Sequence, residues 1–289
     1  MFEGSIVAIV TPFENGKIDK QRLSELIEFH ISEGTSAILP CGCTGEAATL
    51  THNEQKYMIK LVIDIVNGRV PVIAGTGSNS TEEALVLTMS AKDAGADGAL
   101  LITPYYNKPT PEGMYLHYEK IAKAVDIPII LYNVPSRTGI SILPETVAKL
   151  SKIDNIVAIK EASGSLEQVN AIMELCDIII LSGDDALTLP MMVLGAKGVI
   201  SVAANVVPKH MAMMVKSFMS GDLEKSRKIH LNLFPLFRAL FYETNPIPVK
   251  TALGMMGKLI PELRLPLCEM RKKNVERLRK VLTNIGVLS

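Results

Sequence analysis

Eight short, nearly unbroken apolar runs punctuate the chain, at residues 5–10, 37–41, 71–74, 99–103, 128–132, 156–159, 178–181 and 198–202. Their length suits strands, and continuous rather than alternating apolarity is the pattern of strands covered on both faces, which implies parallel pairing. Amphipathic stretches lie between them. After Thr51, for example, Met58, Leu61, Val62, Ile65 and Val66 recur at helical spacing on one face. Helix starts are marked by Thr51 with Glu54, Ser80 with Glu83 and Ser165 with Gln168, each spaced as a capping box, and by Pro111 and Pro144, which suit a first helical position. Gly34, Gly68 and Gly95 stand where a left-handed cap ends a helix. A strand followed by a helix, eight times in 289 residues, predicts an α/β chain folded as a (β/α)8 TIM barrel. A doubly wound open sheet also alternates strand and helix, but the count of eight favours the barrel. From residue 208 the pattern is helical throughout, with segments near 209–220, 222–242, 247–257 and 267–285. The expected division is a catalytic barrel over 1–223 and a C-terminal helical extension over 224–289.

Composition narrows the partners. Thirty basic residues balance thirty acidic ones, so no strong field recruits nucleic acid or an anionic membrane. The most apolar stretch, 191–207, is broken by Gly195, Lys197 and Gly198, and no membrane span is expected. The first residues lack the basic and apolar regions of a secretory signal, which points to the cytoplasm. The basic residues near the end, from Arg271 to Lys280, lack interleaved aromatics and suit a solvated helix face. Cys41, Cys43, Cys176 and Cys268 fit neither a disulfide framework nor a zinc site, so no metal and no cofactor is expected.

In a barrel, the residues that follow each apolar run face the active site. The run ending at Ile159 leads into Lys160, where partial desolvation would lower the amine's pKa and suit it to imine formation; a lysine emerging into solvent is the plainer alternative. The second run leads into Gly42-Cys43-Thr44-Gly45-Glu46, a glycine-flanked turn that can bring backbone N–H groups and a hydroxyl to a carboxylate, or serve as an ordinary tight loop. Tyr132 ends the fifth run, as a proton-transfer group or as core with a bonded hydroxyl.

Six ordered motifs carry a resemblance. They are Gly42-x-Thr44-Gly45-Glu46, Tyr105-Tyr106-Asn107-Lys108-Pro109, Tyr132-Asn133-Val134-Pro135-x-Arg137-Thr138, Ile159-Lys160-Glu161-Ala162, Leu181-Ser182-Gly183-Asp184-Asp185 and Asn245-Pro246-Ile247-Pro248-Val249-Lys250. Together they resemble, essentially end to end, the dihydrodipicolinate synthase (4-hydroxy-tetrahydrodipicolinate synthase) family of class I Schiff-base aldolases. The resemblance implies a lyase that condenses pyruvate with L-aspartate 4-semialdehyde to give 4-hydroxy-tetrahydrodipicolinate, in lysine and diaminopimelate biosynthesis. It makes Lys160 the imine-forming amine, Tyr132 its proton donor and acceptor, and Tyr106 the tyrosine that crosses a subunit interface. Thr44, Ile200 and Gly183 match substrate-binding positions, and Arg137 offers a planar fork to the second substrate's carboxylate. A homotetramer built as a dimer of dimers is implied as well.

One position departs from the family. Cys43 stands where a threonine usually links the two tyrosines, and a thiol bridges more weakly and less directionally than a hydroxyl. His52, Asn79, Glu83, Tyr105 and Ala48 match positions where L-lysine binds as a feedback inhibitor, although Gln55 replaces a histidine common in sensitive enzymes and Glu83 has a capping role available. Pyruvate-dependent sugar-acid aldolases, including N-acetylneuraminate lyase and 2-keto-3-deoxy types, lack the Tyr132-to-Thr138 pattern. A binding-only barrel or a metal-dependent hydrolase fits less well, since His30, His52, His117, His210 and His230 fall mostly in helical stretches.

Overall fold

All eight predicted strands form: β1 Gly4–Ala8, β2 Ala37–Leu39, β3 Ile73–Gly75, β4 Gly98–Ile102, β5 Ile129–Asn133, β6 Ile156–Glu161, β7 Ile179–Ser182 and β8 Gly198–Ser201. The computed structural model describes residues 2–288. Its strands pair in parallel in the order β2-β1-β8-β7-β6-β5-β4-β3, and a parallel bridge from Ile38 to Val72 closes the ring. This is the (β/α)8 barrel, not the open sheet. A small antiparallel ribbon, Phe13–Glu14 with Lys17–Ile18, follows β1.

Two-residue alternation sorts each strand between two cores. Ile6, Ala8, Leu39, Ile73, Leu100, Ile130, Tyr132, Ala158, Leu181 and Ile200 pack together inside the barrel. Their neighbours Ile129, Leu131, Ile159 and Ile180 pack outward against the helices. Because Ala158 points inward, Lys160 two residues on does so too.

Gly34, Gly68 and Gly95 take left-handed φ values of 86°, 71° and 94° at helix ends, as expected. Of the three predicted capping boxes, only Thr51 with Glu54 is reciprocal. Ser80 and Ser165 still cap with their hydroxyls, but their would-be partners turn elsewhere: the Glu83 carboxylate accepts from Ser78 Oγ at 2.7 Å, and Gln168 Nε2 donates to the Ile142 carbonyl at 2.8 Å.

Helix Pro208–Met219 packs on β1 and completes the ring. Helices Leu223–Ala239, Ile247–Met255 and Lys272–Asn284 follow. The last begins at Lys272, not at the predicted 267, because the Glu243 carboxylate draws in the Arg271 amide at 3.0 Å and Asn274 Nδ2 at 2.8 Å, which sets the first turn there. Within it only Leu278 and Leu282 are fully buried; side chains of that size contribute about 1.5–3 kcal/mol each, and they anchor an otherwise charged helix. Among the described residues, no helix is long and apolar enough to cross a membrane.

Candidate active site

Lys160 and Tyr132 are direct neighbours across the β5–β6 pair. Inside the barrel they meet: the Lys160 Nζ lies 4.2 Å from the centre of the Tyr132 ring, and both side chains are buried. Burial pulls the Lys160 ammonium down to about 8, with Arg137 adding to the fall while Cys43 and Asp185 oppose it. At neutral pH a useful fraction is then free amine. Burial also pushes the Tyr132 phenol well above its ordinary value, with the neighbouring Cys43 adding to the rise and Arg137 opposing it.

The backbone around this pair is braced. Glu161, next to Lys160, accepts Asn133 Nδ2 at 2.9 Å and the Ser163 amide at 2.7 Å, tying the ends of β5 and β6 together. Gly183, just beyond β7, makes room for the lysine stem: a Cβ there would lie 3.0 Å from Lys160 Cε and 2.7 Å from Ala162 Cβ. Ile200 is fully buried in β8 on the same inner face. Asp185 is buried as well and accepts from Ser201 Oγ and from the Ala203 amide at 2.8 Å, which joins the loops after β7 and β8; desolvation raises its carboxyl to about 6.

A cavity of about 520 Å³ opens onto Tyr132. Cys43, Arg137, Asn245, Pro246, Ala48, His52, Glu83 and Tyr105 are among the residues that line it. Arg137 donates to the Asn245 carbonyl at 2.9 Å, and Asn245 Nδ2 donates to Thr44 Oγ1 at 2.9 Å. The buried Asn245 Oδ1 has no partner among the described residues. His52 Nε2 and Glu83 Oε2 are 3.8 Å apart. Asn79 is not part of the lining, but its Nδ2 donates to the Tyr105 carbonyl at 3.1 Å and so holds that tyrosine's backbone.

Tyr132, Cys43 and Arg137 line the cavity; Lys160 and Gly183 join them behind Tyr132, Thr44 through Asn245, and Ile200 through the inner core of the barrel. Tyr106 does not join them within a single chain: it is 89% exposed, at a left-handed φ of 71°, outside the cavity lining. Asn245, Lys250, Glu46 and Asp185 stand in the sequence motifs, but sequence reasoning assigns them no role. Their contacts span up to 218 residues of sequence, and no periodicity announces such pairs.

The sequence model of the Dihydrodipicolinate synthetase family matches residues 1–285. The 4-hydroxy-tetrahydrodipicolinate synthase of Geobacter sulfurreducens is 60% identical over 284 residues, covering 98% of each chain. A chloride-inhibited dihydrodipicolinate synthase from Acinetobacter baumannii, solved with pyruvate, superposes with a TM-score of 0.98 at 46% identity over 100% of both chains. The enzyme from Cyanidioschyzon merolae, solved with lysine bound, superposes with a TM-score of 0.96 at 42% identity over 99% of each. On its sequence and on its fold, this chain belongs to the dihydrodipicolinate synthetase family.

Proposed function

We infer that this protein is a Schiff-base lyase that condenses pyruvate with L-aspartate 4-semialdehyde to give 4-hydroxy-tetrahydrodipicolinate, a step of lysine and diaminopimelate biosynthesis. The observation that carries the reading is the buried Lys160, its amine softened to about 8 beside the Tyr132 ring, in a chain 60% identical to a synthase of that name.

In the mechanism we assign, the Lys160 amine adds to the keto carbon of pyruvate and water leaves, forming a protonated imine. Tyr132 passes the protons of that step, and the imine withdraws electrons so that a methyl proton departs to give an enamine. The enamine carbon attacks the aldehyde of the second substrate. That substrate's own amine then attacks the imine carbon, closing the ring and releasing Lys160. Thr44, with the backbone at Ile200 and Gly183, takes the pyruvate carboxylate, and Arg137 takes the carboxylate of the semialdehyde. Cys43 links Tyr132 to Tyr106 of a second copy. The exposed Tyr106 at the loop bearing Tyr105 supports that assembly, and a dimer of such dimers is the homotetramer we expect.

L-Lysine is the proposed feedback inhibitor, held by His52, Asn79, Glu83, Tyr105 and Ala48, of which all but Asn79 line the cavity that also reaches Tyr132. Undiminished activity at millimolar lysine would remove that assignment. The cytoplasm is the proposed setting, where the four cysteines remain thiols.

Borohydride reduction in the presence of pyruvate tests the chemistry. A permanent mass increment on the peptide containing Lys160 is expected, and an unmodified Lys160 peptide would overturn the imine mechanism.

A further inference from the structure

The loop that carries Cys43 and Thr44 ends in an ion pair that the chemistry above leaves unused. Lys250 Nζ lies 2.7 Å from Glu46 Oε1, with both side chains 0% exposed. The other carboxylate oxygen accepts the Arg264 amide at 3.3 Å. Phe13 packs on both cations, its ring centre 4.4 Å from Lys250 Nζ and 4.4 Å from the Arg264 guanidinium carbon. An apolar pair of the same volume is often as stable as a buried ion pair, whereas removing one partner of the pair is strongly destabilising. Stability alone therefore does not account for these charges.

The geometry of the loop does. Cys41 and Glu46, on either side of residues 42–45, hold left-handed φ values of 57° and 55°, a conformation that non-glycine residues adopt at a cost. Between them the chain turns tightly, with the Gly45 amide on the Gly42 carbonyl at 3.1 Å and the Glu46 amide on the Cys43 carbonyl at 3.2 Å. Gly75 of β3 presses against it so closely that a Cβ there would lie 2.1 Å from the Cys41 carbonyl oxygen. A loop wound this way needs an external restraint, and residues 245–250 grip it at two points, Asn245 on Thr44 and Lys250 on Glu46.

We infer that Glu46 and Lys250 are positioning residues for the reaction: their pair locks the loop so that Cys43 meets Tyr132 and Thr44 meets the incoming carboxylate, which makes the C-terminal helices part of the active site. The inference rests on the reading of this loop as the pyruvate-carboxylate loop.

The double variant Glu46→Gln/Lys250→Met tests it, because glutamine keeps an acceptor for the Arg264 amide and methionine keeps much of the lysine's volume. The expected result is a Tm within about 5 °C of the unmodified protein, with the pyruvate concentration for half-maximal borohydride trapping raised at least about tenfold. A folded double variant that traps at the unmodified protein's pyruvate concentration would overturn the inference. No adduct in the unmodified protein would instead overturn the imine reading and this inference with it. Should the variant not fold, amide exchange in the unmodified protein decides: the Gly45, Glu46 and Ala47 amides should be protected like those of the barrel strands before pyruvate is added. Exchange as fast as in exposed loops would refute the lock.

Discussion

Substituting Gly183 with alanine probes how Lys160, the proposed nucleophile, is aimed. The added Cβ would sit 2.7 Å from Ala162 Cβ, 3.0 Å from Lys160 Cε and 3.1 Å from Lys160 Cγ. Carbon atoms rest at about 3.5–4.0 Å, so each contact must open by roughly half an ångström or more. Ala162 is held by its backbone, with its amide on the Asn133 carbonyl at 2.9 Å, and has no rotamer to change. The Lys160 stem does, so the strain should be relieved mainly by Lys160, the proposed nucleophile. Overpacking of this kind costs about 1–3 kcal/mol of stability, a fall in Tm of roughly 2–10 °C for a chain this size. Displacing a reacting group by about 1 Å can cost about a hundredfold in rate. Gly183→Ala should thus lower kcat by about 10- to 100-fold, with a folded protein and a borohydride-trapped adduct that forms slowly. Steady-state assay with both substrates, paired with timed trapping, measures both effects. A variant with unchanged kcat and unchanged trapping rate would show that Gly183 does not aim Lys160.

Three further outcomes follow from the site and the core. Because Lys160 must be neutral to attack, the rate of imine trapping at fixed pyruvate should climb with pH and level off above about 8; a flat profile between about pH 6 and 8 would contradict the lowered amine. Cys43→Thr replaces a weak thiol link with a hydroxyl worth about 0.5–1.5 kcal/mol more, so kcat at saturating substrates should rise about 2- to 10-fold, and no change would mean that this link does not limit turnover. His30 is fully buried with both ring nitrogens unpartnered among the described residues, and burial, helped by Lys258, depresses it to about 3. Its folded pKa lies below the unfolded one, so the unfolded chain binds the extra proton and stability falls as pH drops from about 6.5 towards 3. By pH 4.5 the loss should be about 3 kcal/mol from this group. Urea unfolding of the protein and of His30→Leu at pH 7 and 4.5 tests the point; equal acid sensitivity in both would refute it.

The barrel was legible because its signal is local: eight apolar runs of strand length, with glycine stops and hydroxyl caps between them, each a matter of neighbours within a few residues. The strand-end positions of Lys160 and Tyr132 were legible for the same reason, since each ends such a run. Their inward direction was not, because a run covered on both faces shows no alternation. It emerges only once Ala158 and Ile130 are seen to fill the barrel interior. Helix starts were half legible, in that Ser80 and Ser165 cap as expected, yet Glu83 and Gln168 found tertiary partners that outbid the local one. The start at Lys272 depends on Glu243, 28 residues before Arg271, and the grip of Asn245 on Thr44 spans 201 residues. Contacts of that range leave no periodic trace in the chain.

The two halves of the site are consequently held by different means, and this separates their failures. The proposed nucleophile half is built into the sheet: Lys160 stands in β6, Gly183 clears its path and Glu161 ties its strand to β5 through Asn133. Disturbing it moves the reacting atom, so kcat should suffer first. The proposed carboxylate half is a wound loop braced from outside by a segment about 200 residues further along the chain, through Asn245 and the Glu46–Lys250 pair. Loosening that brace leaves Lys160 where it is and weakens the hold on pyruvate before chemistry begins, so affinity should suffer first. A Gly183 variant that lost only affinity, beside a Glu46/Lys250 variant that lost only turnover, would mean that the two halves are coupled in some way other than through these contacts.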